Sequence, residues 1–311
     1  MSKIEFQIIQ RWFSNLGSSE HVLAGVGDDA AVLAVPPGHV LHTSTDTLIE
    51  GRHFLPETLP EDVGFRAVAT AASDLAAMGA EPLAMTLAIT LPDRNELWLH
   101  GFTQGVAAAV LRFDLPLVGG DTTRGEHSIT VTVLGTTPRD EWLSRGGANP
   151  GDRVCVSGTV GDAAMALAVL QGEVAPEDLP SPDATERLLR CFSHPEPRLE
   201  LGSQLRGRAS AAIDLSDGLL ADAAHIADAS GVAIHIDSSR LPLSETLRAH
   251  RDHERVLLWA LAGGDDYELL FTIPPEYPVP PGCTEIGDVR HGTGIHSDVA
   301  VQSTGYDHFS H

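Results

Sequence analysis

Apolar positions recur along the chain in two rhythms, one near 3.6 residues and one of two, and each predicts an element. Phe6 to Leu16 carries the first and predicts a short amphipathic helix. Two apolar runs follow, Ala30 to Val35 and Val40 to Thr43, separated by Pro36, Pro37 and Gly38, so a hairpin is expected there. Glu61 to Met78 is rich in small residues at helical spacing; its acidic start suits the positive end of a helix dipole and Gly79 is a natural stop. A strand over Leu83 to Thr90, a helix from Asp93 to about Arg112, a strand at Leu115 to Val118 and an alternating strand at Ser128 to Gly135 complete this half.

The segment Ser144 to Asp152 (SRGGANPGD) reads as a linker, which predicts two domains, residues 1–148 and 149–311. Beyond it, strands are expected at Arg153 to Ser157, Ala211 to Leu215, Val232 to Asp237 and Tyr267 to Ile273. Helices are expected at Asp162 to Leu170, Asp217 to Ala229 and Glu254 to Leu261, with an acidic, proline-containing surface loop from Gly172 to Ala184. Neither half has a regular βαβ period, which favours an α+β (two-layer α/β) architecture over a doubly wound sheet.

Composition narrows the function. Hydrophobic residues make up 42% of the 311, enough for a substantial core. The formal charge of −23 repels phosphate backbones and anionic lipid, and no basic patch offsets it, so neither nucleic acid nor membrane is an expected partner. Lys3 is the only lysine. That removes the phosphate loop ending in Gly-Lys-Ser/Thr, the protein-kinase strand lysine and interior Schiff-base chemistry; a phosphate here must be held by Arg, backbone N–H groups or metal ions. Cys155, Cys191 and Cys283 show no CxxC pairing, and Met1 to Gln10 lacks the pattern of a leader, so a reduced cytoplasmic enzyme is expected.

The chemistry concentrates in aspartates set in short polar segments read as turns: Gly27-Asp28-Asp29, Ser44-Thr45-Asp46-Thr47, Gly119-Gly120-Asp121-Thr122-Thr123, Asp214-Leu215-Ser216-Asp217-Gly218 and Gly263-Gly264-Asp265-Asp266. Asp74 interrupts an otherwise apolar helix. Any one such turn, taken alone, is most often a turn former or helix cap. Five together, with Asp74 and no interior lysine, point elsewhere: converging carboxylates raise one another's pKa, and hard divalent cations such as Mg²⁺ relieve that. The GxGxxA match at Gly25 to Ala30 precedes a strand-like run and would set two acids against a pyrophosphate, so a dinucleotide site is rejected. The 15 histidines show no zinc-like spacing, and HExxH and GxSxG are absent. His53 is a candidate substrate contact, although spacing alone favours a structural role, and Arg124 and Arg145 are candidates either for bidentate contact to a phosphate or for pairing with surface acids.

The strings GVGDDAAVL, STDTLIEGRHF, SDLAAMGAEP, GGDTTRG, IDLSDGL, GGDDYEL and GYDHF stand in the order and approximate spacing of the thiamine-monophosphate kinase family, from about Gly25 to Phe309. The chain resembles that family within the wider aminoimidazole ribonucleotide synthetase-like superfamily. The resemblance implies two mixed α/β domains of that type, with N-terminal halves pairing in a homodimer, and an N-terminal domain that binds ATP and magnesium. It implies transfer of the ATP γ-phosphoryl group to thiamine phosphate with several Mg²⁺ ions. It places the metal ligands at Asp29, Ser44, Thr45, Asp46, Asp74, Asp121, Asp214 and Asp217, with Asp46, Asp121 and Asp214 central to catalysis. ATP contacts fall on Gly120, Asp121, Arg145 and Ser216, and thiamine phosphate contacts on His53, Asp265 and Tyr306.

The acceptor would itself be a phosphate, with a second pKa near ~6, so no general base is needed and charge repulsion is the obstacle. A second reading keeps the fold and ATP but uses an amide or selenide acceptor; the reactive N-terminal Cys of the selenium enzymes has no counterpart, since Cys155 is the first. A third is a maturation factor acting through a partner protein; relatives of that kind carry a C-terminal cysteine, whereas this chain ends Tyr306-Asp307-His308-Phe309-Ser310-His311. The last is an acidic globular protein with solvated turns, which would bind no Mg²⁺-ATP.

Overall fold

A computed structural model describes residues 7–301 and Gly305. Two compact units divide the chain, one running to Leu75 and resuming over Ala80–Trp142, the other holding Ala76–Gly79 and everything from Leu143 onward. Both mix helices with sheet, the α+β class expected.

The first unit contains β1 (Val22–Ala24), β2 (Val32–Leu33), β3 (His39–Ile49), α1 (Pro60–Ala77), β4 (Glu81–Leu91), α2 (Glu96–Phe113), β5 (Leu117–Arg124) and β6 (Ser128–Pro138), after a π-helical turn at Ile9–Phe13. Its main sheet has the order β3-β6-β4-β5, with α2 joining the parallel pair β4 and β5. The hairpin expected across Pro36-Pro37-Gly38 does not form: β2 pairs back with β1, and β3 pairs along its whole length with β6. The reason is burial. β3 alternates over eleven residues, with His42, Ser44, Asp46 and Leu48 turned inward and Leu41, Thr43, Thr45, Thr47 and Ile49 exposed, and β6 offers an equally long partner.

Helices α1 and α2 pack because glycine lets their backbones meet. A Cβ on Gly64 would lie 2.2 Å from the Phe102 carbonyl oxygen, and one on Gly105 would lie 1.9 Å from that of Glu61. Around this crossing Val63, Val68, Ala72, Leu99, Phe102 and Val106 are buried, each large apolar side chain contributing about 1.5–3 kcal/mol. Helix α2 starts at Glu96, not at Asp93, because the Asn95 side chain caps it by accepting the Leu97 and Trp98 N–H groups at 3.1 Å.

The second unit contains β7 (Arg153–Ser157), α3 (Asp162–Leu170), α4 (Pro182–Ser193), α5 (Leu199–Leu205), β8 (Ala211–Asp214), α6 (Leu219–Ser230), β9 (Ala233–Ile236), α7 (Glu245–Ala249), α8 (His253–Ala262), β10 (Leu269–Ile273), β11 (Cys283–Arg290) and β12 (Gly294–Ser297). Its sheet runs β12-β9-β11-β7-β10-β8, with only β12 and β9 parallel. Val154, Val156, Ile213, Ile234, Leu270 and Ile286 form part of its core. The acidic loop expected to reach Ala184 ends earlier, because Pro182 opens α4 and Ser181 caps it by accepting the Ala184 N–H at 3.1 Å. No helix among the described residues is long and apolar enough to cross a membrane.

Two segments expected as turns are strand. STDT lies inside β3, and GGDTTR forms most of β5. Threonine's branched Cβ favours extended backbone, and here it forms cross-strand hydroxyl pairs, Thr45 with Thr132 and Thr47 with Thr130, each at 2.9 Å.

Candidate active site

In the first unit, strand and helix bring three of the expected ligands together. Inward-facing positions of β3 supply Ser44 and Asp46, and α1 supplies Asp74. The Ser44 hydroxyl donates to Asp74 Oδ2 at 2.5 Å. Burial, and then the negative charge of Asp74, push the Asp46 carboxyl up to about 6. Folding has therefore brought two carboxylates within electrostatic reach of each other where ionisation is costly, the arrangement a divalent cation would relieve.

Asp121 and Thr45 lie elsewhere. The register sets Asp46 opposite Val131, which is opposite Leu87, and both of those are buried. Asp121 is opposite Ala88 and exposed with it. Asp46 and Asp121 thus occupy opposite faces and opposite edge strands, three strand spacings or about 14 Å apart. Thr45 shares the exposed face with Asp121. Gly120 is required by contact: a Cβ there would sit 1.8 Å from the Leu87 carbonyl oxygen. Asp29 is exposed between β1 and β2, its N–H donating to Asp28 Oδ1 at 2.9 Å. His53 sits in the turn after β3, where Nδ1 accepts the Ile49 N–H at 3.0 Å, so the neutral ring carries its proton on Nε2.

In the second unit two motifs lace together at one end of the sheet. Asp214 closes β8, buried, opposite Leu269. The strand-like backbone that follows is held by Leu215 N–H to Glu268 O, Tyr267 N–H to Leu215 O and Asp265 N–H to Ser216 O, at 2.8–2.9 Å. Only glycine fits at 264, since a Cβ there would lie 2.3 Å from the Ser216 carbonyl oxygen. Asp265 and Tyr267 adopt φ of 70° and 49°, and the Tyr267 hydroxyl donates to Asp265 Oδ1 at 3.1 Å. Ser216, Asp217 and Gly218 all donate their N–H groups to Asp222 Oδ2, at 3.1, 3.2 and 3.1 Å. Burial, with the charges of Asp214 and Asp217, pushes Asp222 up to about 7 against the lowering effect of those hydrogen bonds. Arg145 is exposed in the loop before β7, where its carbonyl accepts from Ser230 Oγ at 3.3 Å. Tyr306 lies outside the described residues.

Three further carboxylates act as anchors: Asp222 and Glu268, which stand outside the aspartate turns of the sequence, and Asp266, which stands in one of them without a role of its own. In the sequence Asp222 shows only as part of a helix. Asp266 accepts the Gly161 N–H at 2.8 Å at the start of α3, and burial pushes its carboxyl well above the usual carboxylate range. Glu268 is pinned by both nitrogens of the Arg198 fork, Nε at 2.6 Å, and by the Ser157 hydroxyl. The signal for Asp222 was present as an acid in the first turn of a helix that follows Ser-Asp-Gly.

Among the described residues, no group of three His, Cys, Asp or Glu side chains is arranged to hold a metal ion. Mg²⁺ does not require one: it keeps several waters and is commonly bound by one or two carboxylates together with substrate phosphates. The Ser44, Asp46 and Asp74 oxygens fit that mode.

Residues 27–137 match the family model of the AIR synthase related protein, N-terminal domain. The chain is 46% identical to the thiamine-monophosphate kinase of Escherichia coli K12, over 87% of this chain and 82% of that one. It superposes on the crystal structure of thiamine-monophosphate kinase from Stenotrophomonas maltophilia K279a with a TM-score of 0.83, at 40% identity over 94% of this chain and 95% of that one. A structure described as AaThiL complexed with AMPPCP and TMP matches with a TM-score of 0.81, at 35% identity over 89% of each chain.

Proposed function

The chain belongs to the thiamine-monophosphate kinase family, and from that premise we propose how its residues divide the work. The protein is a phosphotransferase that uses ATP as co-substrate and thiamine phosphate as acceptor, giving thiamine diphosphate and ADP.

One observation carries the metal part: Asp46 is held at a raised pKa by burial and by Asp74, beside the Ser44 hydroxyl. These groups, with Asp29, Thr45, Asp121, Asp214 and Asp217, are the proposed ligands of several Mg²⁺ ions. When bound, Mg²⁺ supplies the positive charge that lets two anionic phosphate groups approach in line. The remaining work belongs to the chain. Gly120 brings bare backbone to the nucleotide, while Ser216 donates a hydroxyl and Arg145 a guanidinium fork to its phosphates. His53 presents its Nε2 proton to the acceptor phosphate, supported by the tautomer that Ile49 imposes. Asp265, oriented by Tyr267, sets a negative charge near the cationic thiazolium, and Tyr306 completes the acceptor site. The acceptor phosphate is already dianionic at neutral pH, so the site needs no general base.

We infer a homodimer through the N-terminal halves, a reading the same geometry supports. Ser44, Asp46 and Asp74 lie on one face of the first unit's sheet, and Thr45 and Asp121 on the other. The separation of about 14 Å across the sheet supports a site to which two copies each contribute one set. A cytoplasmic setting agrees with three unpaired cysteines.

The test is direct. Incubation with thiamine phosphate, ATP and Mg²⁺ yields thiamine diphosphate on chromatography, and amide or selenide acceptors yield no phosphorylated product. Absence of thiamine diphosphate, while a known kinase is active in parallel, removes the proposal.

A further inference from the structure

We propose that Asp222 is a positioning residue for nucleotide binding: its carboxylate sets the backbone of Ser216-Asp217-Gly218 and thereby aims the Ser216 hydroxyl and the Asp217 carboxylate. The inference rests on the kinase reading above, which places those two side chains against ATP and Mg²⁺.

The geometry is that of an anion cradle turned inward. Three consecutive backbone N–H groups converge on one oxygen, Asp222 Oδ2, at 3.1, 3.2 and 3.1 Å. Three consecutive donors on one acceptor fix the φ and ψ of the segment far more tightly than a single bond would, and successive N–H groups pointing the same way form a nest that ordinarily takes an external anion. Here the protein fills that nest with its own side chain. Asp222 is 2% exposed, so the carboxylate is not shared with bulk water.

The surrounding packing leaves the segment few alternatives. Gly218 adopts φ of 126°, and a Cβ on it would lie 2.9 Å from the Ala262 carbonyl carbon. On the other side, the Ser216 carbonyl accepts the Asp265 N–H at 2.9 Å. The chain is therefore fixed through its carbonyl on one side and its N–H groups on the other, and only the second anchor depends on a side chain. Asp222 itself stands in the first turn of α6, which follows directly, so helix and loop form one rigid piece. Without the carboxylate, three donors in a half-buried loop must find water, and the loop can do so only by turning.

The test compares Asp222→Ala and Asp222→Asn with the unmodified enzyme in the thiamine phosphate kinase assay, varying ATP and thiamine phosphate separately at saturating Mg²⁺. Asp222→Ala raises the KM for ATP by about tenfold or more, since charge-assisted hydrogen bonds to the loop are lost, and leaves the KM for thiamine phosphate within about twofold. Asp222→Asn keeps an oxygen acceptor in place and falls between the two, which is rescue by the conservative variant. Calorimetry with a non-hydrolysable ATP analogue and Mg²⁺ reports the same order of affinities. If Asp222→Ala does not fold, Asp222→Asn alone decides: a raised KM for ATP at unchanged KM for thiamine phosphate supports the inference. Lower stability and less active enzyme, with the KM for ATP unchanged in every variant that folds, overturns it in favour of a merely structural carboxylate. No turnover by the unmodified enzyme removes the kinase reading itself, and the inference with it.

Discussion

Replacing Asp46 by Asn should stabilise the metal-free protein while abolishing its activity. Burial and the charge of Asp74 raise the Asp46 carboxyl from 3.8 to about 6. A carboxyl whose folded pKa lies above its unfolded one binds a proton more readily when folded, so its ionisation opposes folding as pH rises. Below the unfolded value both states are protonated and nothing is lost; through the window up to about pH 6 the penalty grows; above it the penalty is complete. A shift of about 2 units corresponds to roughly 3 kcal/mol, and Asn, which cannot ionise, escapes it. A gain of that size raises the Tm by about 5–10 °C in a unit of this length. Thermal denaturation of the unmodified and Asp46→Asn proteins in chelator, at pH 7.5 and again at pH 4.5, reads it. The variant should melt higher at pH 7.5, the gap should narrow to about a third of that at pH 4.5, and Mg²⁺ should protect the unmodified protein more than the variant. A variant that melts at the same temperature or lower at pH 7.5 in chelator refutes the electrostatic argument.

Three further outcomes follow. Asp121→Asn abolishes turnover at unchanged Tm, and refolding it together with Asp46→Asn returns about a quarter of full activity if each site draws on two copies, because half the dimers are mixed and each carries one intact site; no recovery in an activity assay of the mixture contradicts the shared site. Gly105→Ala gains about 1 kcal/mol of helix propensity, yet loses net stability by urea denaturation, because the new Cβ would lie 1.9 Å from the Glu61 carbonyl oxygen and separating two helix backbones costs about 3 kcal/mol. Glu268→Ala leaves the Arg198 guanidinium without its partner; with the Arg198 side chain 35% exposed, the loss should be about 2 kcal/mol, and an unchanged urea midpoint would show the pair to be idle.

The long helices were legible because a 3.6-residue rhythm is a local property: Val63 through Leu75 and Leu99 through Phe113 bury the positions their spacing marks. Pairing is not local. The run before Pro36-Pro37-Gly38 and the strand after it look like hairpin partners, but β3 meets β6 about ninety residues on, and nothing near the turn says so. The aspartates of STDT and GGDTT were found for their chemistry and assigned to turns, although their threonines favour extended backbone. That difference matters, because in a strand a one-residue step changes face: Ser44 and Asp46 turn toward Asp74, while Thr45 turns to the open side with Asp121. Asp222, Asp266 and Glu268 act through backbone N–H groups or a distant Arg198, contacts that exist only once the chain has folded.

If carboxylate-held magnesium carries one phosphoryl group from ATP onto a phosphate, ATP labelled in its γ-phosphate reveals the transfer. Label should enter the terminal position of thiamine diphosphate in step with ADP release, chelator should stop it and added Mg²⁺ should restore it. ATP consumed with its label released as free phosphate, or transfer indifferent to Mg²⁺, would refute a magnesium-held phosphoryl transfer.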